Sequence, residues 1–192
     1  LSYFAFGLLP WICRTVQYGH VGVTYGAKAR NVAAVFPASE YGWLNENLFF
    51  DVCERWFDSG AFVQSANFLS LTLSVDNQII HPARCYGLFL SHGGHWQKAS
   101  EIPYFYRDFD EQSAMILSRL DEEYSIIRAY FRKAHPDQSW DYMLDYLALE
   151  RFSYQSANTD IRESFVTSKT LRAIKPPVVS DGAGGWIINT RH

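Results

Sequence analysis

The stretch "DNQIIHPARCYG", residues 76 to 87, carries the side chain best suited to move a proton. That side chain is His81, because imidazole is the group whose ordinary titration lies closest to neutral pH. On a helix, Asn77 would sit one turn before it on the same face. Pro82 follows His81 directly. Inside a helix this proline removes the donor to the Gln78 carbonyl and crowds that same group, at a cost of about 3 kcal/mol. Spacing leaves two readings open. One is a core histidine satisfied by a backbone group beside a helix-bending proline. The other is a proton-transfer group turned towards a cleft, where ligands usually bind.

The elements that must hold this stretch can be read on either side of it. "SYFAF", "WICRTVQY", "HVGVTYG" and "ARNVAAVF" are short β-branched or aromatic runs, punctuated by Gly7, Gly19, Gly26 and Pro37, and they predict strands. "NENLFFDVCERWFDSG" predicts an amphipathic helix with Leu48, Val52 and Trp56 (beside Phe49 and Cys53) on one stripe and Gly60 as its stop. "NFLSLTLSV" alternates Leu69, Leu71 and Leu73 against Ser70, Thr72 and Ser74, which predicts a strand, with Ser74 as N-cap of the helix that follows. "SHGGHWQKASEIP" reads as a loop. Asp108 and Glu111 form a capping-box pair for a long helix bearing Ile116, Leu120, Tyr124, Ile127 and Phe131. Ser139 is the expected cap of a helix with Met143, Leu144 and Leu147; a weaker helix is expected in "TDIRESFVTSKTL". "IKPPVVSDGAGGWIINTR" reads as a loop, a glycine-rich turn and a closing strand.

Composition narrows the classes. The 192 residues are 48% hydrophobic and 17% aromatic, a globular composition able to bury about 70% of its surface. A net charge of -3 gives no basic footprint for nucleic acid. The longest apolar runs fall far short of a membrane span. Cys13, Cys53 and Cys85, an odd and scattered set, fit free thiols in a reducing compartment, and hence a cytoplasmic setting. His92 and His95 flank two glycines, but two histidines do not complete a tetrahedral metal site, so no metal is expected. The opening "LSYFAFGLLPW" does not have the form of a signal peptide, and the end at "INTRH" falls within a predicted strand. The expectation is an interior fragment: α/β followed by all-α, with a division near residue 74.

Three motifs in order carry a resemblance. "QIIHPARCYGLF" resembles the junction segment of the opine dehydrogenases, the octopine and nopaline dehydrogenase family, where a His-Pro pair opens the helical domain. "LLPWICRTVQYG" is similar to the family's Leu-Pro-Trp-x-Cys-Arg segment and the β-hairpin after it. "FVTSKTLRAIKPPV" with "GGWIINTRH" resembles the approach to the family's substrate-binding arginine. The resemblance implies that residues 1–74 end a Rossmann-type NAD(P)-binding domain and that 75–192 form most of a helical substrate domain. It further implies an enzyme that condenses an amino acid with an α-keto acid, usually pyruvate, and reduces the imine with NADH or NADPH, the cofactor being bound mainly by an N-terminal region ahead of this sequence.

Residue by residue, His81 matches the family's catalytic histidine and Arg191 the arginine that holds the keto-acid carboxylate, a role suited to a planar guanidinium. Asn77 is a candidate for holding substrate or orienting His81. Trp11 and Cys13 fall in a cleft-facing motif, although a core tryptophan and a small buried thiol are the commoner roles. Tyr146 matches an aromatic wall of the amino-acid pocket. Two departures stand out. Gly7 and Leu8 precede Leu-Pro-Trp where the family commonly has polar groups, so arginine is not the expected preferred amino acid. No G-x-G-x-x-G occurs, since "DGAGG" precedes a strand, and the aspartate that the family pairs with its histidine would lie past His192. The 192 residues alone are therefore not expected to catalyse the reaction. The rival expectations are a two-domain dehydrogenase acting on a hydroxy acid or sugar acid, and a noncatalytic helical interaction domain.

Overall fold

The computed structural model describes residues 1–189, so Arg191 lies outside the described residues. The chain divides into two compact units, Leu1–Asp76 with Glu123–Ala157, and Asn77–Glu122 with Asn158–His192.

In the first unit the four predicted strands form: β1 (Tyr3–Phe6), β2 (Trp11–Gln17), β3 (Val21–Ala27) and β4 (Arg30–Phe36). β2 and β3 make an antiparallel hairpin, with Gly19 at φ 72° in its turn, a conformation that favours glycine. β4 is the centre of a sheet ordered β1-β4-β5, antiparallel to β1 and parallel to β5 (Ala61–Gln64). Its residues Asn31 to Val35 are all buried because both faces of the sheet are covered. Ala33 and Val35 pack with Leu44, Phe49, Cys53 and Phe62 on one side, while Val32 and Ala34 pack with Leu71 on the other.

The parallel pairing of β4 and β5 needs a crossover, and a helical segment supplies it. That segment runs through α1 (Tyr41–Leu44), a π-helical stretch (Asn45–Glu54) and α2 (Arg55–Phe57). Phe49 and Cys53 are buried as the stripe requires, but Val52 and Trp56 are exposed. The π winding takes them off the stripe. Asp58, in the left-handed conformation at φ 52°, ends the helix, and Gly60 does not. Gly60 is glycine for another reason: its amide donates to the Lys28 carbonyl, and a Cβ there would overlap the Ala29 carbonyl.

Further sequence expectations need correction. "NFLSLTLSV" is not a strand but α3 (Phe68–Leu73), N-capped by Asn67, whose side-chain oxygen accepts from the Ser70 amide at 2.8 Å. Ser70 and Ser74 are buried with Leu71 and Leu73, so the inward face includes serines and follows a helical period. Ser74 ends α3 and does not cap the next helix; its hydroxyl lies 2.7 Å from the Ser70 and Tyr142 carbonyls and accepts from the Leu144 amide. Residues 139 to 145 are irregular, with a turn at 141–142, and the helix expected there is α6 (Tyr146–Tyr154), capped by Asp145 and not by Ser139.

The second unit contains α4 (Asn77–His92), β6 (His95–Trp96), the first part of α5 (Glu111–Ala134), α7 (Ile161–Val166), β7 (Val178–Ser180) and β8 (Trp186–Ile188). The three strands form an antiparallel sheet, β6-β8-β7, around Leu88, Trp96 and Ile102. The α5 cap is Asp110, which accepts from the Ser113 amide at 2.7 Å; Asp108 instead accepts from the Tyr104 amide, also at 2.7 Å. Architecturally the chain is mixed α/β.

Candidate functional site

α4 runs without interruption through Pro82. The helix therefore tolerates the missing amide hydrogen bond and is not broken. Its inward residues Ile79, Ile80, Ala83 and Leu88 are buried, whereas Asn77 and His81 are exposed one turn apart. The reading of His81 as a core histidine is set aside by that exposure.

Two side chains of the loop before α5 meet the imidazole. The Phe105 ring makes an edge contact, centroids 5.2 Å apart at 73°. The Tyr106 hydroxyl lies 3.4 Å from Nε2. Both rings are buried, and Tyr106 is further packed against Phe165 at 5.5 Å.

The loop is wrapped around one cation. Arg84, one turn beyond His81 on α4, is fully buried. Its Nε donates to the Phe105 carbonyl at 2.8 Å, Nη1 to Asp110 at 2.9 Å and Ser113 at 3.3 Å, and Nη2 to the Tyr104 and Asp108 carbonyls at 3.1 and 2.8 Å. A guanidinium has five N–H donors, and five acceptors surround it. Burial lowers the Arg84 pKa, opposed by the Asp110 carboxylate. Burial alone would raise the Asp110 pKa, but hydrogen bonds from Ser113 and the Arg84 charge hold it below the usual carboxylate range. Gly87 lets α5 approach, since a Cβ there would overlap the Ser113 hydroxyl.

The remaining predicted site residues lie elsewhere. Trp11 is half-buried against the β4 core; its indole N–H donates to the Phe57 carbonyl at 2.8 Å, so it serves packing. Cys13 is not a buried hydrophobe: it is exposed, with its sulfur 3.3 Å from the Thr24 hydroxyl. Tyr146 is buried at the first turn of α6. Trp11, Cys13 and Tyr146 thus belong to the first unit, and Asn77 and His81 to the second. His95 bonds Asp181 at 3.0 Å and His92 lies against Trp96, and no group able to hold a metal ion occurs among the described residues. No helix among them is long and apolar enough to cross a membrane.

Sequence reading missed Arg84 and Tyr106. The available signal was an arginine between Ala83 and Cys85 on an otherwise apolar helix face, together with the acidic and aromatic run "YFYRDFD" downstream. An arginine so placed needs several acceptors, and that run can supply them.

Residues 64–183 match the family described as NAD/NADP octopine/nopaline dehydrogenase, alpha-helical domain. Among solved structures, the chain is similar to octopine dehydrogenase in complex with NADH and agmatine, at TM-score 0.71 and 21% identity, over 98% of this chain and 46% of that one. A structure of octopine dehydrogenase with NADH and L-arginine gives TM-score 0.67 and 20% identity over 96% of this chain and 45% of the other. One with NADH and pyruvate gives 0.65 and 22% over 96% and 44%. The chain thus spans a little under half the length of these structures, and at such identities the likeness speaks for the fold. No curated protein matches. The family match covers more than half of the chain, and the chain belongs to the octopine/nopaline dehydrogenase family.

Proposed function

We propose that the protein carrying this sequence is an opine dehydrogenase, which joins an amino acid to an α-keto acid, pyruvate in the first instance, and reduces the imine with NAD(P)H. The observation that carries the proposal is His81: the histidine of the His-Pro pair is solvent-accessible and met by the Phe105 ring and the Tyr106 hydroxyl. Imine formation needs a group that takes a proton from the ammonium of the amino acid and returns one to the carbinolamine oxygen as water leaves. An exposed imidazole suits both steps.

In this reading Arg191 fixes the keto-acid carboxylate, and Asn77 and Tyr146 contact the amino acid. Trp11 supports the fold near the substrate, and Cys13 takes no part in chemistry. Residues 1–74 are the end of the nucleotide-binding domain, and 75–192 form most of the helical substrate domain. The protein works in the cytoplasm, with its cysteines as thiols. The dinucleotide supplies the hydride, but the glycine-rich stretch does not fit its phosphates. The glycine-rich stretch is a hairpin turn whose Ala183 and Gly185 amides already donate to Asp181. Phosphate binding is therefore assigned to a part of the protein outside this sequence.

The test is to express the intact gene product and follow NADH and NADPH oxidation with pyruvate and a panel of amino acids. Oxidation should require both substrates, arginine should not be the best amino acid, and His81→Gln should lower kcat about 100-fold or more. Oxidation with a keto acid alone would instead mean a hydroxy-acid dehydrogenase. No turnover with either would favour an interaction domain.

A further inference from the structure

We infer that Tyr106 is a positioning residue for His81 and that Arg84 holds it in place. The inference rests on the proposed proton-transfer role of His81.

His81 and Arg84 are three apart on α4, yet one is exposed and the other fully buried. They grip the same short segment from two directions. Arg84 Nε takes the Phe105 carbonyl, which is the oxygen of the peptide linking Phe105 to Tyr106. His81 meets the side chains on either side of that peptide. The other guanidinium donors take the carbonyls of Tyr104 and Asp108 and the Asp110 and Ser113 side chains, so the loop from 104 to 110 is fixed to the helix that carries His81. Phe165 against Tyr106 and Phe105 at 4.9 Å leave the phenol ring no room to swing.

The chemistry suits a partner that must stay in place through a catalytic cycle. A phenol hydroxyl can donate to a neutral ring nitrogen and accept from a protonated one, so the contact at Nε2 persists in both states. In the neutral ring the phenol donates to Nε2, which leaves the ring proton on Nδ1. The Phe105 edge fixes the ring plane. Arg84 touches none of the reacting atoms; it acts only by holding the loop.

The test reads His81 directly. The whole 192-residue chain is labelled with 15N-histidine, and the His81 signals are assigned with His81→Gln. In the parent the two ring nitrogens should show well-separated shifts in the neutral form, the mark of one tautomer. Tyr106→Phe keeps the packing ring and should bring those two shifts closer together than in the parent, with the other histidines unchanged. Arg84→Lys should cause the same change. Unaltered His81 shifts in a folded Tyr106→Phe protein would overturn the inference. In the intact enzyme Tyr106→Phe should lower kcat roughly 10-fold while leaving the KM values near those of the parent, the effect of a misdirected group and not of lost binding. Equal kcat in parent and variant would also overturn it. The spectra do not depend on turnover, so an enzyme with no opine activity but a Tyr106-dependent tautomer would refute the proposed function and leave the contact standing.

Discussion

Both units of this molecule bury a cation beside a glycine, Arg84 in one and Lys28 in the other, and the two arrangements differ in kind. In the second unit Arg84 meets five acceptors at once, three of them carbonyls of a single loop. In the first, Lys28 is almost as buried but donates to one carbonyl, that of Leu9, at 2.6 Å, with its ammonium 5.7 Å from the Tyr154 ring centre. Burial lowers the Lys28 pKa, while the Asp76 charge opposes it. Asp76 in turn is pushed up to about 6, chiefly by burial and further by Glu150, against the pull of Lys28. A planar fork with five donors can organise a loop; a single ammonium with scattered carboxylates makes a site whose charge moves with pH. Arg84 is a scaffold, and Lys28 is part of a titrating cluster.

The sharpest test of this contrast is removal of each charge. Arg84→Met leaves a half-buried Asp110 and three carbonyls without their donor and should cost about 3–5 kcal/mol in urea unfolding. Lys28→Met abandons one carbonyl and should cost only about 1–2 kcal/mol. Equal losses would break the comparison.

The glycines should fall in the opposite order. A Cβ on Gly60 runs into the backbone of Ala29 and Lys28, which has nowhere to go, so Gly60→Ala should destabilise by about 3 kcal/mol or more. A Cβ on Gly87 meets the Ser113 hydroxyl, which can turn away only by giving up Arg84, and comes within 3.0–3.1 Å of the Ser113 Cβ and Cα, so Gly87→Ala should cost about 1–2 kcal/mol. Thermal unfolding of both variants at one pH ranks them.

The smallest effect is one of pH. The folded chain holds the Asp76 proton up to about pH 6, while the unfolded chain releases it near pH 4. Over that window the unfolded state binds fewer protons, so this group's contribution makes stability fall as pH rises from about 4 to 6 and then level off. Asp76→Asn should therefore gain stability relative to the parent across that window, and Lys28→Met should carry the parent's fall to higher pH. A difference between Asp76→Asn and parent that stays constant from pH 4 to 7 would remove Asp76 from the cluster.

Much of the first unit was legible from local pattern. All four strands before residue 37 form, because β-branched and aromatic runs bounded by glycine leave few alternatives. The segment from 66 to 75 was misread for an instructive reason. Its leucines alternate, but the buried face includes Ser70 and Ser74, and the Ser74 hydroxyl finds both an acceptor and a donor in the interior. Pattern reading assumes that serines face water. Caps slipped for a similar reason: Asp108 and Asp110 are equally good caps by type, and only the loop around Arg84 decides that Asp110 faces the helix while Asp108 takes the Tyr104 amide.

The same division applies to the site. By itself the sequence determined that a histidine followed by proline lies on a helix, and its motifs pointed to the family that the match over residues 64–183 then showed. These are properties of neighbouring residues, where spacing and composition act directly. The tertiary structure decided that His81 is exposed, that Pro82 leaves its helix whole, that Cys13 is at the surface, and that the Phe105–Tyr106 peptide is held by Arg84. Those facts depend on contacts between residues 20 or more positions apart. No local period encodes them, because the partners meet only when burial of an arginine has drawn a distant loop around its five donors.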